Sequence, residues 1–378
     1  MSEIVRSIYA HVPFCHTICG YCDFYSEVLD RNAVTPLVDA LIAELDAYAV
    51  ATSIAADTIF VGGGTPTTLP AVELRRLLTR LAQCANSEAS LEFTSEANPA
   101  TVTPEIADAL VAGGVNRVSI GAQSFDKSEL RVLERIHHPP QVAQTVATCR
   151  AAGVDAISLD LIFGVPGQSM NAWLSNLQAA LALEPDHLSC YGLTYERGTP
   201  LFDQLATGVV TRVESELEAE MFEATIDTLA AHGFDQYEIS NFAKPGRECR
   251  HNLRYWRNEP YLGIGPSAAG FVDGVRYKNV PDTAAYVRAS RLGQSARISE
   301  ERLDAAARSR ETMMLELRLR EGVARGRFAD RFGADPAALF RDAINRHLSL
   351  GLLEVDAGAV RLTRAGQLVA DSVIADFI

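Results

Sequence analysis

The chain has 378 residues, 48% of them hydrophobic and 22% charged, with a formal net charge of −14. That length accommodates one large domain and a smaller one, and no run of eighteen or more apolar residues exists to span a bilayer. The acidic balance works against nonspecific attraction to nucleic-acid phosphates and favours solubility.

Residues Met1–Arg6 include Glu3 and lead straight into an apolar strand, without the charged, apolar and small-residue succession of a secretory signal. Seven cysteines are spread unevenly: three lie within eight residues, while Cys84, Cys149, Cys190 and Cys249 stand alone. A secreted disulfide framework is denser and usually even in number. The expectation is therefore a reducing, cytoplasmic setting in which the clustered thiols do metal or redox chemistry.

Apolar β-rich runs alternate with amphipathic stretches. Ser7–Val12 reads as a strand, Ala33–Val50 as a helix, Thr58–Val61 as a strand and Ala71–Cys84 as a helix. Further strands are expected at Leu91–Ser95, Arg117–Ile120, Ala156–Ile162 and His187–Leu193, separated by helices near Pro104–Ala112, Gln141–Ala152 and Trp173–Leu183. Gly198–Thr211 has the composition of an exposed loop, Glu214–His232 is a long helix, and Gln236–Ile239 is a short strand. Repeated strand–helix alternation specifies a parallel sheet covered by helices. Right-handed crossovers curl it, and six or seven units leave the curl incomplete. The expected fold is α/β, a partial (β/α)6-type TIM barrel over residues 1–295.

Past residue 295 the texture changes. Glu300–Arg320 reads as a helix with Met313, Met314, Leu315, Leu317 and Leu319 near its buried side. Arg325–Phe332 and Pro336–Leu350 follow as helices, then a hairpin of Leu352–Val355 and Val360–Leu362 around Asp356-Ala357-Gly358, and a last helix. Three helices and a hairpin make residues 296–378 a smaller winged-helix-like α+β domain. Such a module can offer a helix-turn-helix to DNA. Here acidic residues are interspersed and no basic stripe appears, so packing or partner binding is expected, and no nucleic acid.

The densest chemistry lies in His11-Val12-Pro13-Phe14-Cys15-His16-Thr17-Ile18-Cys19-Gly20-Tyr21-Cys22-Asp23-Phe24. Three thiolates spaced C-x3-C-x2-C follow a strand. Structural zinc takes four protein ligands, often as two cysteine pairs, and no second pair exists here; a three-ligand catalytic zinc stays open on spacing alone. A cuboidal iron–sulfur cluster normally takes four cysteines, and three leave one iron open to an exchangeable ligand.

Polar groups also punctuate the ends of successive strands. Val61-Gly62-Gly63-Gly64-Thr65-Pro66 closes the second and Glu96-Ala97-Asn98-Pro99 the third. Gly121-Ala122-Gln123-Ser124 closes the fourth, and Asp160 interrupts the fifth. Any one of these is an ordinary strand-ending turn. In parallel barrels, however, the carboxyl ends of the strands carry the site.

With its aromatic residue before the last cysteine, the motif resembles that of the radical S-adenosylmethionine superfamily, and Gly62-Gly63-Gly64-Thr65-Pro66 resembles its anaerobic coproporphyrinogen III oxidase family. The resemblance implies a [4Fe-4S] cluster on Cys15, Cys19 and Cys22. Its open iron would bind the methionine moiety of S-adenosylmethionine, and an electron from the cluster would cleave a carbon–sulfur bond to give a 5′-deoxyadenosyl radical. It implies further that Tyr9 and Tyr21 flank the cluster and adenine, and that Gly63, Gly64 and Thr65 contact S-adenosylmethionine. Glu96, Gln123, Arg135 and Asp160 would hold its ribose and carboxylate, or a second such molecule. Arg135 sits in Leu133-Glu134-Arg135-Ile136-His137, similar to the family's L-x-R-x-H segment; a solvated helix arginine is the competing account.

Within this family the dehydrogenases carry a fourth cysteine two residues after the third, and an N-terminal extension. Here Phe24 holds that position, and the cluster strand starts within ten residues of Met1. Both features resemble the haem chaperone HemW subfamily, as does Cys249-Arg250-His251-Asn252-Leu253-Arg254-Tyr255-Trp256, similar to its H-N-x-x-Y-W segment. Imidazole and thiolate are ordinary haem ligands, so His251, with Cys249, is the candidate haem contact; a structural loop is the alternative. The resemblance implies haem or porphyrin binding, haem-acceptor proteins, an electron donor and a dimer as partners, and a membrane reached only through a partner. Oxidative decarboxylation of coproporphyrinogen III is the alternative activity. A radical methylthiotransferase is disfavoured, since neither extra cluster cysteines nor a basic RNA-binding module is present.

Overall fold

The computed structural model describes residues 4–378. They segregate into two compact units, one formed by the chain as far as Thr228 together with Pro260–Glu301, the other by Leu229–Glu259 with Arg302–Ile378.

The first unit is built on β1 (Val5–Val12), β2 (Ile54–Gly63), β3 (Glu92–Ala97), β4 (Arg117–Gln123), β5 (Ala156–Phe163) and β6 (His187–Gly192). Each pairs in parallel with the next. A seventh strand, β7 (Leu262–Ile264), adds in parallel to the free side of β1. Among the described residues β1 and β6 do not pair with each other, so the barrel is a partial (β/α)6 one. Helices α1 (Arg31–Ala51), α2 (Ala71–Ala82), α3 (Pro104–Ala112), α4 (Pro139–Ala152) and α5 (Met170–Leu181) connect the strands.

Strand alternation explains why this sheet has two unlike faces. Ile8, Ala10, Val12, Ile59, Val61, Phe93, Val118, Ile120, Leu159, Leu161 and Leu188 share one face and are buried. The opposite set, which includes Ser7, Tyr9, Thr58, Thr94, Glu96, Arg117, Ser119, Ser158, Asp160, His187 and Ser189, is polar and lines the barrel interior. Burying the apolar face drives the fold, at about 25 cal/mol per Å² removed from water.

Strand β7 is held by α1. The Glu44 carboxylate accepts from Gly265 N–H (2.9 Å), Asn279 Nδ2 (2.8 Å) and the Tyr286 hydroxyl (2.6 Å). Burial pushes its pKa up despite these three donors.

The second unit includes helices Ala305–Glu316, Arg325–Phe332, Pro336–Leu339 and Arg341–Ser349 and a small antiparallel sheet. In that sheet Ala359–Leu362 lies between Val323–Ala324 and Leu353–Val355. Met313, Leu317, Phe328, Ile344, Val360, Val373 and Phe377 form its core. Asp356 Oδ1 accepts from Gly358 and Ala359 N–H and closes the hairpin.

Three local expectations need correction. Gly198–Thr211 is not all loop: Pro200–Ala206 is helical, with Thr199 capping Phe202 N–H and Pro200 at the first position, a start signal that outweighs the loop composition. The expected helix from Glu300 begins only after Asp304, which caps Ala307 N–H; Arg297–Glu301 is instead a strand on Val275–Asn279. Pro336–Leu350 breaks at Phe340 into two helices.

α5 fixes the end of β5. Trp173 is fully buried, its ring 5.5 Å from that of Phe163, and Nε1 donates to Thr225 Oγ1 (2.9 Å). Trp173→Ala is expected to lower stability by about 3–5 kcal/mol, read by urea unfolding; a loss below about 1 kcal/mol would mean the α5 seam repacks freely.

Candidate functional site

The cysteine segment is a loop closed at its base. Phe14–Cys15 pairs with Glu27–Val28, and Leu29 N–H donates to the Cys15 carbonyl at 2.9 Å. The end of β2 holds it from below, through Gly64 N–H to the Val12 carbonyl and Thr65 N–H to the Phe14 carbonyl, both 2.8 Å. Leu201 N–H fixes the Gly20 carbonyl at 2.8 Å.

All seven cysteines are free, and Cys15, Cys19 and Cys22 are the three that reach solvent in part. Cys15 Sγ lies 3.5 Å from Thr65 Oγ1, and Arg135 Nη1 donates to Cys19 Sγ at 3.4 Å. Burial pushes the Cys15 thiol up and the Cys22 thiol to about 11, and the neighbouring thiols add to both. Among the described residues no three His, Cys, Asp or Glu side chains converge on one point. A cuboidal cluster asks instead for single thiolates spread around a larger body, one per iron. Three thiols on one loop, with an arginine cation beside them, fit that demand.

The glycine run at the end of β2 is needed for steric reasons. A Cβ on Gly62 would meet the Glu96 carboxyl at 2.7 Å, one on Gly63 the His11 ring at 2.5 Å, and one on Gly64 the Pro13 carbonyl oxygen at 2.5 Å. Gly63 also has φ +108, which side chains rarely adopt. Its N–H donates to Glu96 Oε2 at 3.0 Å. Burial raises the Glu96 pKa to about 7, the Asp160 charge adds to it, and the Gly63 N–H opposes it.

Asp160 accepts from Ser119 Oγ, 3.1 Å from each carboxylate oxygen, and burial pushes its pKa up. Tyr9, on the same interior face, joins its hydroxyl to His11 Nδ1 at 2.9 Å, and His11 Nε2 lies 2.9 Å from the Tyr25 carbonyl. Gln123 ends β4 with φ +60. Behind it, buried Asn176 and Ser124 both engage Glu129, and Asn176 Oδ1 accepts from Phe125 N–H, which fixes the turn.

Arg135 enters from that turn. The helix Lys127–Val132 ends with Glu134 at φ +53. Arg135 N–H then donates back to the Leu130 carbonyl (2.9 Å) and Glu134 N–H to that of Arg131 (3.2 Å), the paired bonds of a Schellman stop. Its side chain is thereby aimed inward: Nη2 donates to the Gly121 carbonyl at 2.7 Å, Nη1 reaches Cys19, and buried Nε has no partner. Arg135 is thus no solvated helix arginine. Tyr21 packs against Leu133 and Ile162 beside it, and burial raises its hydroxyl pKa.

The sequence-derived residues therefore gather in one neighbourhood of the first unit, with Cys15, Cys19, Cys22, Tyr21, Thr65 and Arg135 above and Tyr9, Gly63, Glu96, Gln123 and Asp160 below. His251 and Cys249 belong to the second unit. His251 is fully buried, its Nε2 2.8 Å from the Tyr255 hydroxyl, and burial lowers its pKa to about 3. Cys249 is buried at the start of the same short helix. In this conformation ligation through His251 Nε2 needs the Tyr255 bond to open.

Sequence reading missed the interior polar layer of Arg117, Ser119, Ser158, His187 and Ser189. His187 Nδ1 lies 2.8 Å from Ser158 Oγ. The available signal was the polar residue at every second position of β4, β5 and β6, where buried parallel strands ordinarily read as continuous apolar runs.

Two outcomes are expected here. Gly64→Ala should lower iron and sulfide uptake on reconstitution several-fold, with little change in circular dichroism, because the cluster loop must move while the barrel need not. For Glu96, a folded-state pKa near 7 against about 4.5 unfolded means the folded protein holds the extra proton between those values, so this group's contribution to stability falls as pH rises through that window. Glu96→Gln should stabilise the apoprotein by about 2–3 kcal/mol at pH 8 and by much less at pH 5. Equal melting shifts at both pH values would contradict that account.

The family model of the radical SAM superfamily matches residues 9–179, and that of the HemN C-terminal domain matches residues 303–369. Among curated proteins, the chain is 35% identical to a protein named heme chaperone HemW of Lactococcus lactis, covering 100% of this chain and 98% of that one. It is 36% identical to the one of Bacillus subtilis over 99% of each, and 35% identical to the one of Escherichia coli over 98% of each. Among solved structures, the coproporphyrinogen III oxidase HemN of Escherichia coli superposes with a TM-score of 0.84 at 23% identity, covering 100% of this chain and 90% of that one. That likeness fixes the fold, a radical SAM barrel with a C-terminal domain. With full-length relatives above the level at which families part, the chain belongs to the haem chaperone HemW family of radical SAM proteins.

Proposed function

We propose that this chain is a cytoplasmic haem chaperone that binds haem, a [4Fe-4S] cluster and S-adenosylmethionine and passes haem to acceptor proteins. The observation that carries the proposal is the end-to-end identity with curated haem chaperones of several bacteria. Phe24 supports it by standing where the dehydrogenases of the wider family carry a fourth cysteine. No helix of the described residues is long and apolar enough to cross a membrane, in keeping with a membrane met only through a partner.

In this proposal residues 1–295 hold the cofactors, residues 296–378 form an accessory module, and Cys15, Cys19 and Cys22 ligate three irons. The bound cluster supplies, when reduced, one electron for cleavage of a carbon–sulfur bond of S-adenosylmethionine. The chain's own residues do the holding. Gly63, Gly64 and Thr65 would contact the methionine moiety, Tyr9 and Tyr21 would bound the adenine side, and Gln123 and Asp160 would accept ribose hydroxyls. Glu96, poised near neutrality, gives up its proton when an ammonium group arrives to pair with it. Arg135 Nε, a buried donor without an acceptor, takes a carboxylate or ribose oxygen. His251 and Cys249 remain the proposed haem contacts. An electron donor and a dimeric state complete the proposal.

The test uses anaerobically reconstituted protein with reductant, S-adenosylmethionine and coproporphyrinogen III, beside a haem titration. Tight haem binding without protoporphyrinogen is expected; protoporphyrinogen formation would overturn the chaperone assignment in favour of the dehydrogenase. Cys19→Ser should lose most of its iron and sulfide. His251→Ala should weaken haem binding and alter its spectrum. Because His251 is buried, its melting temperature is measured alongside; a normally folded variant with an unchanged haem spectrum and affinity removes His251 from the haem site.

A further inference from the structure

The L-x-R-x-H segment leaves a question the cofactor assignment does not answer: why Arg135 spends one of its five donors on a cysteine sulfur. Its guanidinium bridges two elements, with Nη1 on Cys19 Sγ at 3.4 Å and Nη2 on the Gly121 carbonyl at 2.7 Å. The geometry is held rather than adopted by chance. Glu134 accepts a left-handed backbone to end the helix and aim Arg135 inward. The Glu134 carboxylate also lies so close to Gly20 that a Cβ there would sit 2.9 Å from it. The same turn thus presses on the cluster loop twice, at Cys19 and at its neighbour Gly20.

Cys15 and Cys19 have unlike side-chain partners. Cys15 meets a neutral hydroxyl, Thr65 Oγ1, while Cys19 meets a permanent cation. Hydrogen bonds and positive charge at a ligand sulfur stabilise the more negative, reduced form of an iron–sulfur cluster and raise its potential. A guanidinium delivers both and cannot be switched off by pH.

We propose that Arg135 is a positioning residue for electron entry, whose Nη1–H···Sγ bond to Cys19 raises the reduction potential of the cluster and whose second bond ties that ligand to the end of β4. This rests on the assignment of the three cysteines to a cluster. The role is distinct from holding S-adenosylmethionine and is therefore sought without that cofactor. Removing Arg135 makes the cluster harder to reduce even when fully assembled.

The experiment is an electron-paramagnetic-resonance redox titration of the reconstituted full chain, wild type against Arg135→Gln and Arg135→Lys, without S-adenosylmethionine. Iron and sulfide are assayed first. Arg135→Gln with full iron and sulfide should show a more negative midpoint, so that at the wild-type midpoint the ratio of reduced to oxidised cluster falls about fivefold or more. Arg135→Lys, which keeps charge but loses the fork, should fall between. An unchanged midpoint in a fully loaded Arg135→Gln overturns the proposal. Should the glutamine variant fail to assemble, the wild type still decides. Its reduced cluster, in protein carrying 15N-arginine, must show a nitrogen hyperfine coupling that is lost in Arg135→Lys; a fully loaded wild type without it overturns the proposal. A wild type that takes up no cluster would instead defeat the cysteine assignment itself, a separate result.

Discussion

Three missing side chains at the end of β2 hold the candidate site together. The space above Gly62 is filled by the Glu96 carboxylate of β3, that above Gly63 by the His11 ring of β1, and that above Gly64 by the Pro13 carbonyl of the cysteine loop. Three neighbouring elements therefore close directly onto the glycine backbone, and at Gly64, against the Pro13 carbonyl, a side chain would have to displace the cysteine loop. Close packing of this kind transmits displacement, so the position of the cysteine loop and that of the buried carboxylate are set by the same residues.

The barrel interior exacts a cost that the outer face offsets. Burial raises the pKa values of both Glu96 and Asp160, the Asp160 charge raises that of Glu96 further, and Ser119, Ser189 and the Gly63 N–H oppose as donors. Arg117 and His187 lie deeper on the same face, and the Arg117 charge adds to the burial that keeps His187 neutral. Buried groups of this kind destabilise an empty site and become favourable when a ligand supplies complementary charge. The continuous apolar set on the opposite face of the same strands, with α1 packing on α2, α2 on α3 and α3 on α4, provides the stability that tolerates it. One alternating pattern thus serves both ends, since each strand contributes every second residue to each purpose.

That pattern also explains what could be read from sequence and what could not. The six strands and their helices were legible because apolar periodicity is local. Pro104–Ala112 has the bounds expected of it, and most other elements differ only by a few terminal residues. The three cysteines and the strand-end polar residues were legible as a motif in order along the chain. The inner layer of Arg117, Ser158 and His187 was not, because a polar residue within an apolar strand looks like noise until register aligns it with its neighbours: Ser158 faces His187 across β5 and β6. The three-stranded sheet of Ala269–Val272, Val275–Asn279 and Arg297–Glu301 was likewise invisible, since its strands are short and its outer strand is exposed and charged. For the segment around His251, the family resemblance implied a haem contact, whereas burial and the Tyr255 hydrogen bond are tertiary facts that a motif does not carry.

Two of the six non-glycine residues with positive φ among the described residues, Gln123 and Glu134, lie eleven positions apart and bracket the turn that delivers Arg135. A left-handed residue of this kind costs on the order of 1 kcal/mol, and such conformations persist where the surroundings over-determine them. The surroundings here are explicit: Asn176 and Ser124 on Glu129 at one end of the segment, and the paired backbone bonds to Leu130 and Arg131 at the other. Between them, His137 Nε2 lies 3.0 Å from the Ala122 carbonyl while burial and the nearby Arg135 charge hold its pKa down to about 4. A neutral imidazole beside that guanidinium adds no competing charge. The segment's shape follows from one requirement, a positive charge carried from the end of β4 to the cysteine loop and kept there by a frame that has no easier way to relax.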